Sequence, residues 1–303
     1  MTFGFRQAGI KVIAGIDVDP KCKETYELNN KPAKFIEADI KKLSETELAK
    51  KIKIKKDDDN LIFIGCSPCQ YWSIIKTDKT KAEDSKNLLE DFQKFIEYFN
   101  PGFVVIENVP GIVSKAGSPL KDFIKFLTEQ GYNSISYRII NVSDYGVPQS
   151  RKRFVLIASR TRNILFPEAD TELKPTVRKF IGETEIFPKV EAGHRDESDF
   201  CHTVQGFSQI SLERMKLTPK NGGTRDAWKD TDLQVNVYRL KDGNENFAFK
   251  DTYGRMFWDK PASTITTKFF SISNGRFGRI INSARALKTN RVLLNISKER
   301  EAN

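Results

Sequence analysis

Residues 61–73, LIFIGCSPCQYWS, set the tightest limit on what this chain can fold into. Four consecutive apolar residues closed by Gly65 are too few for a helix and read as a short buried strand. The chain then turns Cys66, Ser67, Pro68, Cys69 and Gln70 into the loop at that strand's carboxyl end. Open α/β sheets place their chemistry at that edge.

The flanking segments alternate in the way such a sheet requires. Strands are predicted over 11–16, 34–37, 103–106, 134–140 and 154–158, and helices over 20–28, 45–54, 88–99 and 120–129. Leu88, Leu89, Phe92, Phe95, Ile96 and Phe99 repeat at helical spacing, and Asn100, Pro101 and Gly102 stop that helix before the next strand. The pattern predicts an α/β fold with a parallel or mostly parallel sheet covered by helices on both faces. Past residue 166 the periodicity fades into short polar segments carrying Gly and aromatic residues, which reads as a smaller irregular domain.

Composition narrows the class. A chain of 303 residues with 39% hydrophobic content can bury a sizeable core. Its apolar runs are only a few residues long, and MTFGFRQAGI lacks the apolar stretch of a signal peptide, so a cytoplasmic protein is expected. Four cysteines (Cys22, Cys66, Cys69, Cys201) do not make a disulfide framework in a chain this long. The net charge of +10 suggests a polyanionic partner, but six Lys/Arg against two Glu from residue 279 onward supply +4 of it. Basicity alone is weak evidence for DNA.

Cys66-x-x-Cys69 has three readings by spacing: a redox pair, half of a zinc site, or a single nucleophile with an incidental neighbour. For zinc, only Cys22, Cys201, His194 and His202 could complete the ligand set, and none forms a second close cysteine pair. No metal is expected. A thioredoxin-like pair is the stronger rival, because it too follows a strand. Two later segments bear on the choice. Glu107-Asn108-Val109 comes directly off the strand over 103–106, which brings its carboxylate to the same sheet edge, and Gln149, Arg151 and Arg153 precede the strand over 154–158. Taken singly, a solvated Glu and a basic loop are the ordinary explanations.

In this order and in these strand contexts, PCQ, then ENV, then QxRxR resembles the DNA cytosine-5 methyltransferases of bacterial restriction-modification systems. The resemblance runs from residue 3 to about 278. It takes in the strand ending at Asp17, Asp39, Asp84 and Ser85, DYGVPQSRKRFVLIAS at 144–159, Asn221-Gly222-Gly223, and KPASTITTKFFSISNGRFG at 260–278. It implies a Rossmann-like S-adenosylmethionine-dependent methyltransferase domain over 1–166, a target-recognition domain over 167–278, and a tail over 279–303 that matches nothing in the family.

The roles follow from the resemblance. Cys69 would add to C6 of a cytosine flipped out of duplex DNA, turning C5 into a nucleophile. Glu107 would hydrogen-bond N3 from a carboxyl held near neutrality by burial. Arg153 would contact O2, and Arg151 the neighbouring backbone. Gln70, Ser73, Asn108, Val109 and Gln149 would line the pocket, and residues 70–81 would form the loop that closes over DNA. Asp17 would hold the cofactor's ribose, Val18 its adenine face and Asp39-Ile40 the adenine edge, with Pro68 and Leu89 flanking the methionine part. The resemblance implies double-stranded DNA as substrate, a monomeric protein and a cognate restriction endonuclease.

Both ends depart from the family. Its members open with a strand and glycine-rich turn that would lie between the strands over 11–16 and 61–64, and they close with a motif that 279–303 does not match. The expectation is a chain truncated at both ends, or one that needs a complementing polypeptide, with little activity alone. A catalytically dead DNA-binding remnant and a thiol oxidoreductase using Cys66 and Cys69 are the alternatives.

Overall fold

One helix organises the first half of the chain. In the computed structural model, which describes residues 1–66, 88–170, 172–182, 190–197, 204–235, 251–266 and 271–276, Leu88–Phe99 is helical. It follows short helices at Thr2–Gln7 (α1), Cys22–Asn30 (α2) and Glu45–Ile52 (α3), and is therefore α4. Its apolar stripe is wide enough to serve two cores. Leu89 and Ile96 pack with Val104, Ile106, Phe123, Leu127, Phe154 and Leu156, whereas Phe95 and Phe99 pack with Ile36, Leu43 and Leu48. Phe63 touches both clusters.

Each cluster backs a different sheet. β1 (Ala14–Asp17) pairs in parallel with β2 (Lys34–Glu37), aligning Ala14 with Lys34 and Asp17 with Glu37. The second sheet has the order β3-β4-β6-β5, built from Ile62–Gly65, Phe103–Asn108, Lys152–Ser159 and Ser134–Asn141. β3 runs parallel to β4, but β6 runs antiparallel to it, so the sheet is mixed where a parallel or mostly parallel one is expected. Among the described residues β1 and β3 are not paired with each other, and each is hydrogen-bonded to a neighbour strand on one side only.

The burial pattern follows from that topology. β4, flanked on both sides, buries Val104 and Ile106 completely. β3 is just as apolar but stays half-buried along its whole length, and β1 leaves Ile16 41% exposed. Gly65 closes β3 because a side chain there would press on Ile106 and Phe92 at about 3 Å. α3 shows ordinary end signals: Ser44 accepts from the Glu47 amide at its start, and Lys53 stops it in the left-handed conformation. Gly111–Ser114 (α5) and Leu120–Glu129 (α6) complete the first unit, and the Tyr132 hydroxyl donates to the Pro101 carbonyl at 2.6 Å beneath β4.

The chain divides into two compact units, Met1–Ile140 with Lys152–Glu168 and Asn141–Arg151 with Ala169–Asn303. The segment Asn141–Arg151, which the sequence reading groups with the first domain, belongs to the second unit. That unit contains Val177–Ile181 (α7) and Gln209–Leu217 (α8); Val177 and Ile181 pack with Met256, Ala262 and Ile265 in a small apolar core, and buried polar groups brace the rest. Arg255, 1% exposed, donates through Nε to the Thr218 carbonyl at 2.8 Å and through Nη2 to Met215, satisfying the carboxyl end of α8. Trp228, equally buried, donates its indole N–H to the Thr218 hydroxyl at 3.1 Å. Ala262 forms a parallel bridge with Gln149, and Ser150 donates to its carbonyl.

Phe99 is wholly buried and meets the Phe63 ring edge-on, with centroids 5.4 Å apart. Phe99→Ala is expected to destabilise the first unit by about 3–5 kcal/mol, read as a lower urea midpoint.

Candidate active site

Glu107 is the fifth residue of β4 and lies on the face opposite Val104 and Ile106. Extending the β3–β4 register by one position from Gly65–Ile106 sets Cys66 abreast of it. On the other flank, β6 supplies Arg153, whose Nε donates to the Glu107 carboxylate at 2.6 Å. The two side chains are 30% and 18% exposed, Glu107 being the more open. The carboxylate is thus held in a partly hydrated ion pair. Arg153 also donates to the Lys152 carbonyl at 2.8 Å.

Cys66 counts as exposed, yet enough protein crowds it to push its thiol up to about 12, first by desolvation and then by the charge and hydrogen bond of Glu107. The direction is the useful part: at neutral pH Cys66 is a thiol, and the thiolate is the reactive form of a cysteine. The redox and zinc readings of Cys66 both require that proton to be lost.

Other residues singled out in the sequence lie at two places. Asn108 is 1% exposed, with its side-chain oxygen accepting from the Val109 amide at 2.8 Å, and Val109 packs against the core below β4. In the second unit, Gln149 is buried and accepts from the Ile265 amide at 3.2 Å, while Arg151 donates to the Ile265 carbonyl at 3.3 Å. These contacts tie residues 149–151 to 262–265. Pro68, Cys69, Gln70 and Ser73, with the closing loop over 70–81, Asp84 and Ser85, lie outside the described residues, as do Cys201, His202 and the tail.

A second group gathers at the carboxyl ends of β1 and β2. Asp17 and Val18 leave β1, and Asp39 and Ile40 follow β2; the Ala38 amide donates to the Asp17 carbonyl at 3.0 Å and joins the two ends. Asp17 and Asp39 each accept from a backbone amide two residues on, at 3.0 Å. Val18 is 65% exposed and Ile40 half-buried. Carboxylates beside open apolar side chains suit a nucleoside, whose hydroxyls donate and whose base is flat and apolar on its faces. Leu89 is different: at 3% exposure it is a core residue, packed with Ile96, Val104 and Ile106. Among the described residues no three His, Cys, Asp or Glu side chains gather to hold a metal ion, and no helix is long and apolar enough to cross a membrane.

Comparison with known proteins adds four findings. Over residues 1–290 the chain matches the family described as C-5 cytosine-specific DNA methylase. It is 34% identical over 281 residues to the type II methylase M.HgiDII of Herpetosiphon aurantiacus, a match covering 92% of this chain and 75% of that protein. It is 31% identical over 229 residues to the type II methyltransferase M1.HphI of Haemophilus parahaemolyticus, covering 74% of this chain and 59% of that one. The chain therefore spans three quarters of the first relative and about three fifths of the second. Among solved structures, a prophage-encoded E. coli protein assigned as a DNA modification methyltransferase superposes with a TM-score of 0.55 over 97% of this chain and 95% of its own. At 16% identity that likeness concerns the fold alone.

Proposed function

The chain belongs to the C-5 cytosine-specific DNA methylase family, and from that premise we propose that it methylates carbon 5 of cytosine in double-stranded DNA, as the modification arm of a type II restriction-modification system with a cognate endonuclease. The observation that carries the reading is the Glu107–Arg153 pair at the carboxyl edge of β4, beside the strand that leads into Pro68-Cys69-Gln70.

In the proposed reaction the target base is flipped out of the duplex. The Cys69 thiolate adds to C6, and the electron pair of the C5–C6 double bond becomes available at C5. Glu107, once it has left the ion pair and taken up a proton, donates a hydrogen bond to N3 as negative charge grows on the ring, and Arg153 offers fixed positive charge near O2. Once C5 has bonded to a methyl group, loss of the C5 proton expels the Cys69 thiolate from C6 and restores the C5–C6 double bond. S-adenosylmethionine, when bound, supplies an electrophilic methyl group. Asp17 would accept from its ribose hydroxyls, Val18 and Ile40 would flank its adenine, and Asp39 would accept from its amino group; Pro68 would border its methionine part, in front of the wall that Leu89 supports. Pocket roles for Gln70, Ser73, Asn108, Val109, Gln149 and Arg151 rest on their matching motif positions.

The sides of β1 and β3 that pair with no strand among the described residues support one further element of the reading, a complementing polypeptide whose extended segment lies between them. The half-burial of apolar β3 is what such a segment would relieve. The decisive experiment is transfer of a tritiated methyl group to duplex DNA by the purified chain, alone and with co-expressed neighbouring gene products. Label in 5-methylcytosine under either condition supports the proposal, and none under both overturns it. Asp17→Ala is expected to weaken S-adenosylmethionine binding about ten- to hundredfold by calorimetry, the scale of hydrogen bonds to a charged acceptor.

A further inference from the structure

Glu107 stands on the middle strand of three, and both neighbours reach it. β6 contributes the Arg153 guanidinium at 2.6 Å, and β3 leads into Cys66, which the parallel register, extended by one position, sets abreast of Glu107. A carboxylate only accepts, so the thiol is the donor. We propose that Cys66 is a positioning residue: its S–H holds the Glu107 carboxylate from the β3 side while Arg153 holds it from the β6 side, fixing the carboxylate at the sheet edge.

The division of labour is chemical. An arginine alone would leave the carboxylate free to swing about one contact, since the pair is partly hydrated and its Coulomb attraction correspondingly weak. A thiol on the far side restricts that swing without adding charge. Because it donates a weak hydrogen bond, it can be given up cheaply when the carboxylate turns to a substrate. A lysine at the same position would compete with the substrate for the carboxylate, and a glycine would leave it unsupported. The raised thiol pKa accords with this role, since Cys66 keeps its proton and does not act as a second nucleophile alongside Cys69.

The role of Glu107 in the reaction rests on the function proposed above, so the test has one arm that does not need the reaction. Infrared spectra of the full chain contain an S–H band for each thiol, and the Cys66 band is the one lost in Cys66→Ala. It is expected below the free-thiol position and should move back towards it in Glu107→Gln. A band already at the free position, or one that Glu107→Gln leaves unmoved, overturns the hydrogen bond. Should Cys66→Ala fail to fold, the shift caused by Glu107→Gln identifies the band by itself.

The second arm is kinetic. Cys66→Ala should lower kcat for methyl transfer roughly three- to tenfold, the scale of one weak hydrogen bond, with KM for DNA unchanged. Cys66→Ser, which keeps a donor, should recover most of the loss. An unaltered kcat in a folded Cys66→Ala overturns the positioning role. Absence of transfer by every form, wild type included, counts against the methyltransferase reading, and the infrared shift then decides this proposal.

Discussion

Cys69→Ala abolishes covalent capture of duplex DNA carrying 5-fluorocytosine, whereas Cys66→Ala still captures it: this is the expected result of the most discriminating experiment on the chain. Fluorine at C5 cannot leave as a proton, so once the thiolate has added at C6 and the methyl group has arrived, the adduct has no exit and survives denaturing electrophoresis. Removing the nucleophile should take the rate to background, a loss of about 10⁴-fold or more. The alternatives give other patterns. A thiol oxidoreductase needs both cysteines, so Cys66→Ala and Cys69→Ala would be equally inactive in its assay. A catalytically dead remnant binds DNA in a salt-dependent way and captures none. Capture that persists in Cys69→Ala would sink the proposed mechanism.

Glu107→Ala is expected to lower kcat by about 10²–10⁴-fold with little change in KM for DNA, measured by steady-state methyl transfer. A carboxyl that hydrogen-bonds the ring nitrogen chiefly as charge develops contributes to the transition state more than to binding, and its removal appears in kcat. The ion pair adds a second consequence. Arg153 is bound to Glu107 at 2.6 Å, so the pair must open or pivot if each partner is to meet a different atom of the base. Glu107→Gln, which keeps the shape and loses the charge, should fall between the wild type and Glu107→Ala. A rate unchanged in both variants would remove Glu107 from the mechanism.

Much of the first unit is readable from the chain itself, because its signals are local. The helices at Leu88–Phe99 and Leu120–Glu129 coincide with their predicted spans, as does the strand Lys34–Glu37. The strand predicted over 11–16 forms only at Ala14–Asp17. Strand partners are another matter. The period-two pattern of β6 says which face is buried but not which way it runs against β4, and that direction puts Arg153 beside Glu107. Cys66 is similar: the sequence sets it between Gly65 and Ser67, while its neighbour across the sheet is a carboxylate. The second unit carries weaker local signals. Arg255 and Trp228 brace that unit from buried positions through hydrogen bonds to Thr218, and no periodicity announces them.

The separation of β1 and β2 from the larger sheet has a bearing on exchange and linkage. A two-stranded ribbon is marginal by itself, and this one is joined to the rest chiefly through Ala14 and Ile36 against the α4 side chains. Its amides should exchange with solvent through local openings well below the free energy of global unfolding, whereas those of β4, paired on both sides, should wait for the whole unit to open. Asp17, at the end of β1, and Asp39, just past β2, the two carboxylates proposed to hold the nucleoside, therefore depend on the least secured strands of the unit. Whatever steadies that ribbon raises the fraction of molecules ready to bind, and the apparent affinity of the nucleoside rises with it.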